Sequence, residues 1–249
     1  MVNVVLTGGS SGLGYEIMKR MSRVDAPCAF SVYNLSYNGA PEYESRTDSK
    51  FAHKNIVCDV SDSESVKNAV KDIDSVDVLI NCAGVNGIEF IELMDESLWD
   101  TVMDTNAKGL FLVSQALLPQ LKKSKGTIVN IISNASHIPM TSSLAYNASK
   151  GAAHIMTKQM ARELTKLHDI TVFGIAPNKM KNTRMSNYID DKVVELRGWT
   201  KEYAQEYQRN SLPAKKETDP FRVAELLCWL LAEKERHDYL TGCIIPVGA

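Results

Sequence analysis

The sequence has no apolar run that approaches the roughly 20 residues a membrane-spanning helix needs. Even Leu226 to Leu231 is flanked by Glu225 and Glu233. It also lacks a basic segment ahead of an apolar stretch at the N-terminus, where Met1-Val2-Asn3-Val4-Val5-Leu6 leads directly into polar residues, so a signal peptide is not expected. The five cysteines (Cys28, Cys58, Cys82, Cys228, Cys243) form no CxxC pair, which argues against a thiolate metal site and for small thiols in a reducing compartment. There is no surplus of either charge, since 28 Lys and Arg stand against 30 Asp and Glu. A net charge of -2 provides no footprint for nucleic acid or an anionic membrane surface. The one basic cluster, Lys122, Lys123 and Lys125, precedes Gly126 and reads as the dipole-favoured end of a helix. These absences together predict a soluble, cytoplasmic protein with no metal, no nucleic-acid partner and no membrane partner.

What is present is an alternation of strand-length apolar runs with helix-period segments, the pattern of parallel βαβ units. Strands are predicted over 2–7, 29–34, 55–58, 76–81, 127–133, 171–176 and 243–247, and helices over 12–23, 63–72, 98–122, 145–167 and 220–231. The strands are apolar throughout rather than alternating, which suits a sheet covered on both faces. The expected fold is α/β: one Rossmann-like, doubly wound parallel sheet of about seven strands in a single domain, residues 1–249. From Asn178 to Asp219 the rhythm breaks, with two helices predicted around 185–196 and 200–209 and no strand between them. That insertion, 178–219, reads as a candidate lid or substrate loop.

The first strand runs into Thr7-Gly8-Gly9-Ser10-Ser11-Gly12-Leu13-Gly14. Glycines between a strand and a helix let the backbone approach a pyrophosphate, whose charge then rests on free N–H groups at the helix N-terminus. The spacing is Gly-x-x-x-Gly-x-Gly, which the commoner G-x-G-x-x-G does not fit. At the end of the second strand a fold that prefers NAD presents an acidic residue to the ribose 2′-hydroxyl. Asn34, Ser36 and Tyr37 stand there instead. Neutral residues leave room for a 2′-phosphate, so NADP is favoured over NAD.

Tyr and Lys four apart on a helix share a face, and an adjacent ammonium favours phenolate over phenol. Such a tyrosine serves as acid toward a carbonyl or as base toward an alcohol. The spacing occurs three times, at Tyr15/Lys19, Tyr146/Lys150 and Tyr188/Lys192, so position has to choose among them. Only Tyr146 follows a strand ending Ile131-Ile132-Ser133, at the carboxyl edge where ligands bind in open α/β sheets.

With those pieces in order, the chain resembles the classical short-chain dehydrogenase/reductase family over nearly its whole length. The matching residues are Thr7-Gly8-x-x-x-Gly12-x-Gly14, Asp59-Val60, Asn81-Cys82-Ala83-Gly84, Asn106, Ser133 and Tyr146-Asn147-Ala148-Ser149-Lys150. The resemblance implies an oxidoreductase that moves a hydride between NADP(H) or NAD(H) and a carbonyl or secondary alcohol. Tyr146 would be its acid/base, Lys150 would lower the tyrosine pKa and bond the nicotinamide ribose, and Ser133 would orient the substrate oxygen. Asn106 would hold a water through its backbone carbonyl. Cofactor contacts are implied for Thr7, Gly8, Ser10, Ser11, Gly12, Leu13, Gly14, Asn34, Ser36, Asp59, Val60, Asn81, Ala83, Gly84, Tyr146, Lys150, Pro177 and Thr183. The family habit of pairing long helices implies a homotetramer or homodimer.

Three departures from the family pattern stand out. Pro177-Asn178 replaces Pro-Gly, a change that asparagine's tolerance of positive φ would accommodate. Thr183 lies one position beyond the common spacing. The terminus, Pro246-Val247-Gly248-Ala249, lacks the usual Val-Asp-Gly-Gly. Two rival classes are a sugar-nucleotide epimerase or dehydratase and a dinucleotide-sensing protein without catalysis. The first generally needs a longer C-terminal segment than the one here, and the second does not need Ser133, Tyr146 and Lys150 together. Asn134, His137, Met140, Leu144, Met180 and Tyr188 are expected near a substrate pocket, with Lys181 and Arg184 as cations on the lid.

Overall fold

The computed structural model describes residues 1–23, 25–39 and 51–248. Ala249, the last residue of the terminal motif, lies outside the described residues. Seven strands form one parallel sheet: β1 (Val2–Thr7), β2 (Phe30–Ser36), β3 (Phe51–Val57), β4 (Val78–Asn81), β5 (Thr127–Ile131), β6 (Thr171–Pro177) and β7 (Ile244–Val247), in the order β3-β2-β1-β4-β5-β6-β7. The helices are α1 (Gly12–Met21), α2 (Ser63–Val70), α3 (Glu96–Met103), α4 (Gly109–Ala116), α5 (Leu118–Ser124), α6 (Leu144–Met160), α7 (Lys166–His168), α8 (Arg184–Arg197), α9 (Lys201–Asn210) and α10 (Pro220–Leu231).

The uniform apolarity of the strands follows from two cores. Val4 and Leu6 of β1 pack on one face with Ile17 and Met18 of α1 and with Val223 and Leu227 of α10. Val5 between them points to the opposite face, among Val66 and Val70 of α2, Val113 of α4 and Leu121 of α5. All of these side chains are essentially inaccessible, and each contributes roughly 1.5–3 kcal/mol by leaving water. The central strands therefore have no polar face to reveal, whereas the edge strand β3 does. Its His53, Lys54 and Asn55 face partly outward, and the strand begins at Phe51 rather than at Asn55.

The long helix expected over 98–122 is three helices. A π-helical turn at Asp104–Lys108 joins α3 to α4, and the chain leaves helical geometry at Leu117 (φ -96°, ψ 1°) before α5. Pro119 accounts for the second break, because proline has no N–H to donate and its ring crowds the carbonyl four residues back; it is accommodated in the first turn of a new helix. The helix expected over 145–167 likewise changes pitch, at Ala161–Thr165. The basic cluster sits where the sequence put it, on the last turn of α5, with Lys125 in the left-handed conformation that ends the helix.

The segment after β6 is pinned at its base. Lys181 N–H donates to Thr218 O (3.0 Å) and Thr218 N–H to Lys179 O (2.8 Å), so residues 181–217, which carry α8 and α9, leave and rejoin the body at one place. A buried network ties this segment to its base at Asp190, which accepts from Lys179 Nζ (2.5 Å), Gln205 (3.2 Å) and Gln208 (3.1 Å).

Candidate active site

Because every strand is parallel, the carboxyl ends of β1, β2, β4, β5 and β6 share one edge. The loops leaving them, with the α8–α9 segment, border a cleft of about 1250 Å³. Ordinary small-molecule sites occupy roughly 300–1,000 Å³, so this cleft has room for a dinucleotide and a second molecule.

One wall is the glycine loop. Gly8 N–H donates to Leu35 O (2.8 Å), Gly9 N–H to Asn34 Oδ1 (2.9 Å), and Thr7 Oγ accepts from the N–H groups of Cys82 and Ala83 (3.0 Å each). A Cβ on Gly14 would lie 2.2 Å from Gly8 O, so the loop closes on itself only because that position is bare. Helix α1 then starts behind Ser11, whose side chain does not cap it, and its first turn carries no acid. Its leading N–H groups are thus free to receive an anion. Gly8, Ser10, Ser11, Gly12, Leu13, Gly14, Ser36, Asp59, Val60, Ala83, Gly84, Pro177 and Thr183 all border the cleft.

Three expected contacts fall elsewhere. Asn34 is wholly buried and braces the loop from below, tied also to Asn55 Oδ1 (2.9 Å) and accepting from Ser36 Oγ (3.1 Å). Ser36 therefore turns its hydroxyl inward, and among the described residues Tyr37 and Asn38, just past β2, border the cleft with side chains available for a ribose. Asn81 is buried behind the wall, donating to Ser114 Oγ (3.0 Å) and Asn130 Oδ1 (2.9 Å), and Thr7 is committed to the two amides it accepts from. These residues hold the wall in place without lining it.

Opposite the loop, α6 brings Tyr146 and Lys150 to the end of β5. The Ser133 hydroxyl stands beside the Tyr146 phenol and favours its ionised form, and its Oγ accepts from Ala135 N–H (3.2 Å). Lys150 Nζ donates to Ile131 O (2.9 Å). Asn147 fixes the helix to the Ser133 loop by donating to Ala135 O (2.6 Å) and Ile138 O (2.8 Å). Asn106, in the π-helical turn, uses its side chain as a knot: Oδ1 accepts from Val85 N–H (2.8 Å), and Nδ2 donates to Val85 O (2.9 Å) and Ser149 Oγ (3.0 Å). One side chain thus joins the loop after β4 to the helix that carries the Tyr/Lys pair.

Burial raises the Tyr146 phenol above its ordinary value, only partly offset by the neighbouring Ser133 hydroxyl, while Lys150 Nζ stands 5.8 Å from the Tyr146 ring centroid. The polypeptide alone therefore holds Tyr146 protonated at neutral pH. Burial also pushes the Lys150 ammonium down to about 8, from an ordinary 10.5. Between those values the unfolded chain keeps a proton that the folded chain has released, so stability rises with pH across the window; below about pH 8 both states are protonated and the dependence vanishes. Thermal scans should show the Tm of the wild type gaining on that of Lys150→Met from about pH 8 to 10.5. A Tm difference that moves the other way would refute burial of this charge.

The remaining expectations divide. Asn134, Met140, Met180 and Tyr188 border the cleft, whereas His137 and Leu144 do not. The decoy lysine Lys192 pairs with Glu195 (2.8 Å). Lys181 is spent on Asp219 (2.9 Å), while Arg184 faces the cleft. Asn178 does not adopt positive φ; that conformation falls at Asn182 (φ 55°). Asn178 instead donates to Gly248 O (3.0 Å), so the two family departures, at 178 and at the terminus, are in contact. Thr183 caps α8 by accepting from Ser186 N–H (3.0 Å), and it stands over Gly12.

The family model for short chain dehydrogenases matches residues 2–193. The chain belongs to that family. It is an NAD(P)-dependent dehydrogenase or reductase, and the seven-stranded parallel sheet is the family's fold. A 3-oxoacyl-[acyl-carrier-protein] reductase of Staphylococcus epidermidis is 28% identical, covering 99% of this chain and 97% of its own. The ligand-free aldohexose dehydrogenase of Thermoplasma acidophilum superposes with a TM-score of 0.81 at 26% identity, covering 99% of this chain and 92% of that one. An actinorhodin polyketide ketoreductase solved with NADPH gives 0.81 at 25% identity, over 99% and 95% of the two chains. No helix among the described residues is long and apolar enough to cross a membrane.

Proposed function

We propose that this enzyme reduces a ketone, or oxidises the corresponding secondary alcohol, with Tyr146 as proton donor or acceptor and NADP(H) as the preferred cofactor. The observation that carries the reading is the meeting of Ser133, Tyr146 and Lys150 in the cleft that the glycine loop borders. The glycine cradle and the uncapped start of α1 fit a dinucleotide pyrophosphate. The bound nicotinamide would supply or accept the hydride. Tyr146 would then give its proton to the carbonyl oxygen as the hydride reaches carbon, yielding the alcohol, with Ser133 bonded to the same oxygen. Lys150 and Asn106 hold the helix in register for that transfer. Among the described residues just past β2, Tyr37 and Asn38 are neutral and border the cleft, which supports NADP, since neither would repel a 2′-phosphate.

The cell interior is the proposed location, in keeping with five free thiols. A homo-oligomer is proposed because Phe111 of α4 and Ile155 of α6 stand 45% and 62% exposed on the outer helices. Following loss of reduced-nicotinamide absorbance over steroids, quinones, acyl thioesters and sugars tests the chemistry. The expected result is turnover with a lower KM for NADPH than for NADH. A clear NADH preference removes the cofactor assignment, and cofactor binding with no turnover across the panel removes the catalytic one.

A further inference from the structure

The lid carries a feature that hydride transfer does not use. At the end of α8, Gly198 turns the chain in the left-handed conformation (φ 62°). This brings the Arg197 guanidinium 4.7 Å from the Trp199 ring centroid and 5.9 Å from that of Tyr207. Trp199 meets Tyr207 and Tyr203 edge-on, at 5.0 and 4.9 Å. Arg197, Trp199 and Tyr207 all border the same cleft as Tyr146.

The charge of Arg197 is unanswered. Each carboxylate of α8 already has a cation: Asp190 has Lys179, Asp191 has Lys201, and Glu195 has Lys192. Among the described residues Arg197 forms neither an ion pair nor a hydrogen bond. A cation–π contact contributes about 0.5–2 kcal/mol and leaves the charge in place. Both rings lie to one side of the guanidinium, their own centroids being 5.0 Å apart, and its N–H donors remain for the two oxygens of a carboxylate or phosphate. Helix α8 runs from Arg184 at the cleft to Arg197 at the cleft, a rise of about 20 Å at 1.5 Å per residue. The wall between them is mostly apolar, with Met185, Ile189 and Val193 bordering the cleft.

We propose that Arg197, packed beside Trp199 and Tyr207, is an anion-recognition site for the substrate. The substrate would then be a carbonyl compound with an apolar body and a carboxylate or phosphate remote from the reacting carbon. This rests on the proposed reductase activity for the identity of the ligand, but not for the existence of the site.

Two experiments separate those dependences. The first measures Trp199 fluorescence, with Trp199→Phe as the blank, during titration with decanoate, decyl phosphate and methyl decanoate, none of which can be reduced at a ketone. Both anions should perturb the signal, the ester should not, and Arg197→Gln should abolish the response; the stronger anion names the preferred group. The second measures kcat/KM for methyl ketones ending in a carboxylate, a phosphate or a methyl ester on alkyl chains of increasing length. An anion preference of about tenfold, worth 1.4 kcal/mol, should appear only on the longer chains, in KM, and should vanish in Arg197→Gln. Binding without turnover would sink the reductase reading and leave the site. Equal turnover of acids and esters, or a preference that survives Arg197→Gln, would sink the site and leave the reductase.

Discussion

Replacing Tyr146 by Phe is expected to lower turnover by roughly a hundred- to ten-thousandfold, the usual contribution of a positioned general acid, while cofactor affinity stays near that of the wild type. The substitution removes one hydroxyl from a buried side chain and keeps its ring between α3 and α6, where Tyr146 packs with Val102 and Ala145. Packing is therefore preserved, and the loss should appear in kcat. The partner left behind is Ser133, which keeps its bond from Ala135 N–H. Because burial holds the phenol protonated, reduction should persist in the wild type through neutral pH, and the variant's residual activity should lose that dependence. Steady-state kinetics with fluorescence titration of the cofactor would check both parts. Full activity in Tyr146→Phe would exclude this residue as the acid.

The second large effect is expected at Gly14. An added Cβ there meets Gly8 O at 2.2 Å, Gly8 C at 2.8 Å and Gly9 Cα at 3.0 Å. These are backbone atoms of the same tight loop and cannot swing aside as a side chain would. Gly14→Ala should cost about 1–3 kcal/mol in local strain. The strain falls on the cradle, so cofactor affinity should drop roughly ten- to a hundredfold. Gly12 offers the contrast, since a Cβ there meets only Thr183 Cβ at 3.9 Å and the constraint is its positive φ of 53°. Gly12→Asn, which tolerates that conformation, should be milder. Isothermal titration with NADPH on the two variants distinguishes a limit of space from a limit of backbone angle. Equal losses would show that the loop does not depend on the close approach at Gly14.

Much of this arrangement can be read from the sequence, because the signals are local. A strand followed by spaced glycines, and a Tyr/Lys pair just downstream of a strand ending in serine, place both halves of the cleft. The directions of side chains on the central strands are less legible. Thr7, Asn34 and Asn81 sit on strands or their ends where apolar residues face both ways, and no alternation in the sequence tells whether a polar one looks into the cleft or beneath it. The break at Pro119 had a signal that the single helix expected over 98–122 passed over, since a proline after an apolar run ends one helix and opens another. The aromatic cluster also had a signal: Tyr203 and Tyr207 lie four apart on one face of α9, and Trp199 stands four residues ahead of them, just before the helix. What the spacing could not supply was the turn at Gly198 that folds this face back over Arg197.

The base of the lid has a consequence for how such enzymes diversify. Since 181–217 leaves and returns through one pair of backbone hydrogen bonds beside Thr218, the strands of the sheet need not move when its length changes. Closing a longer loop costs only about 0.6 kcal/mol for each doubling. A segment with that attachment can be exchanged like a cassette beyond Thr183 and Met185, which stand over Gly12 and beside the Tyr146 cluster, so that the range of accepted molecules changes while the proton donor stays.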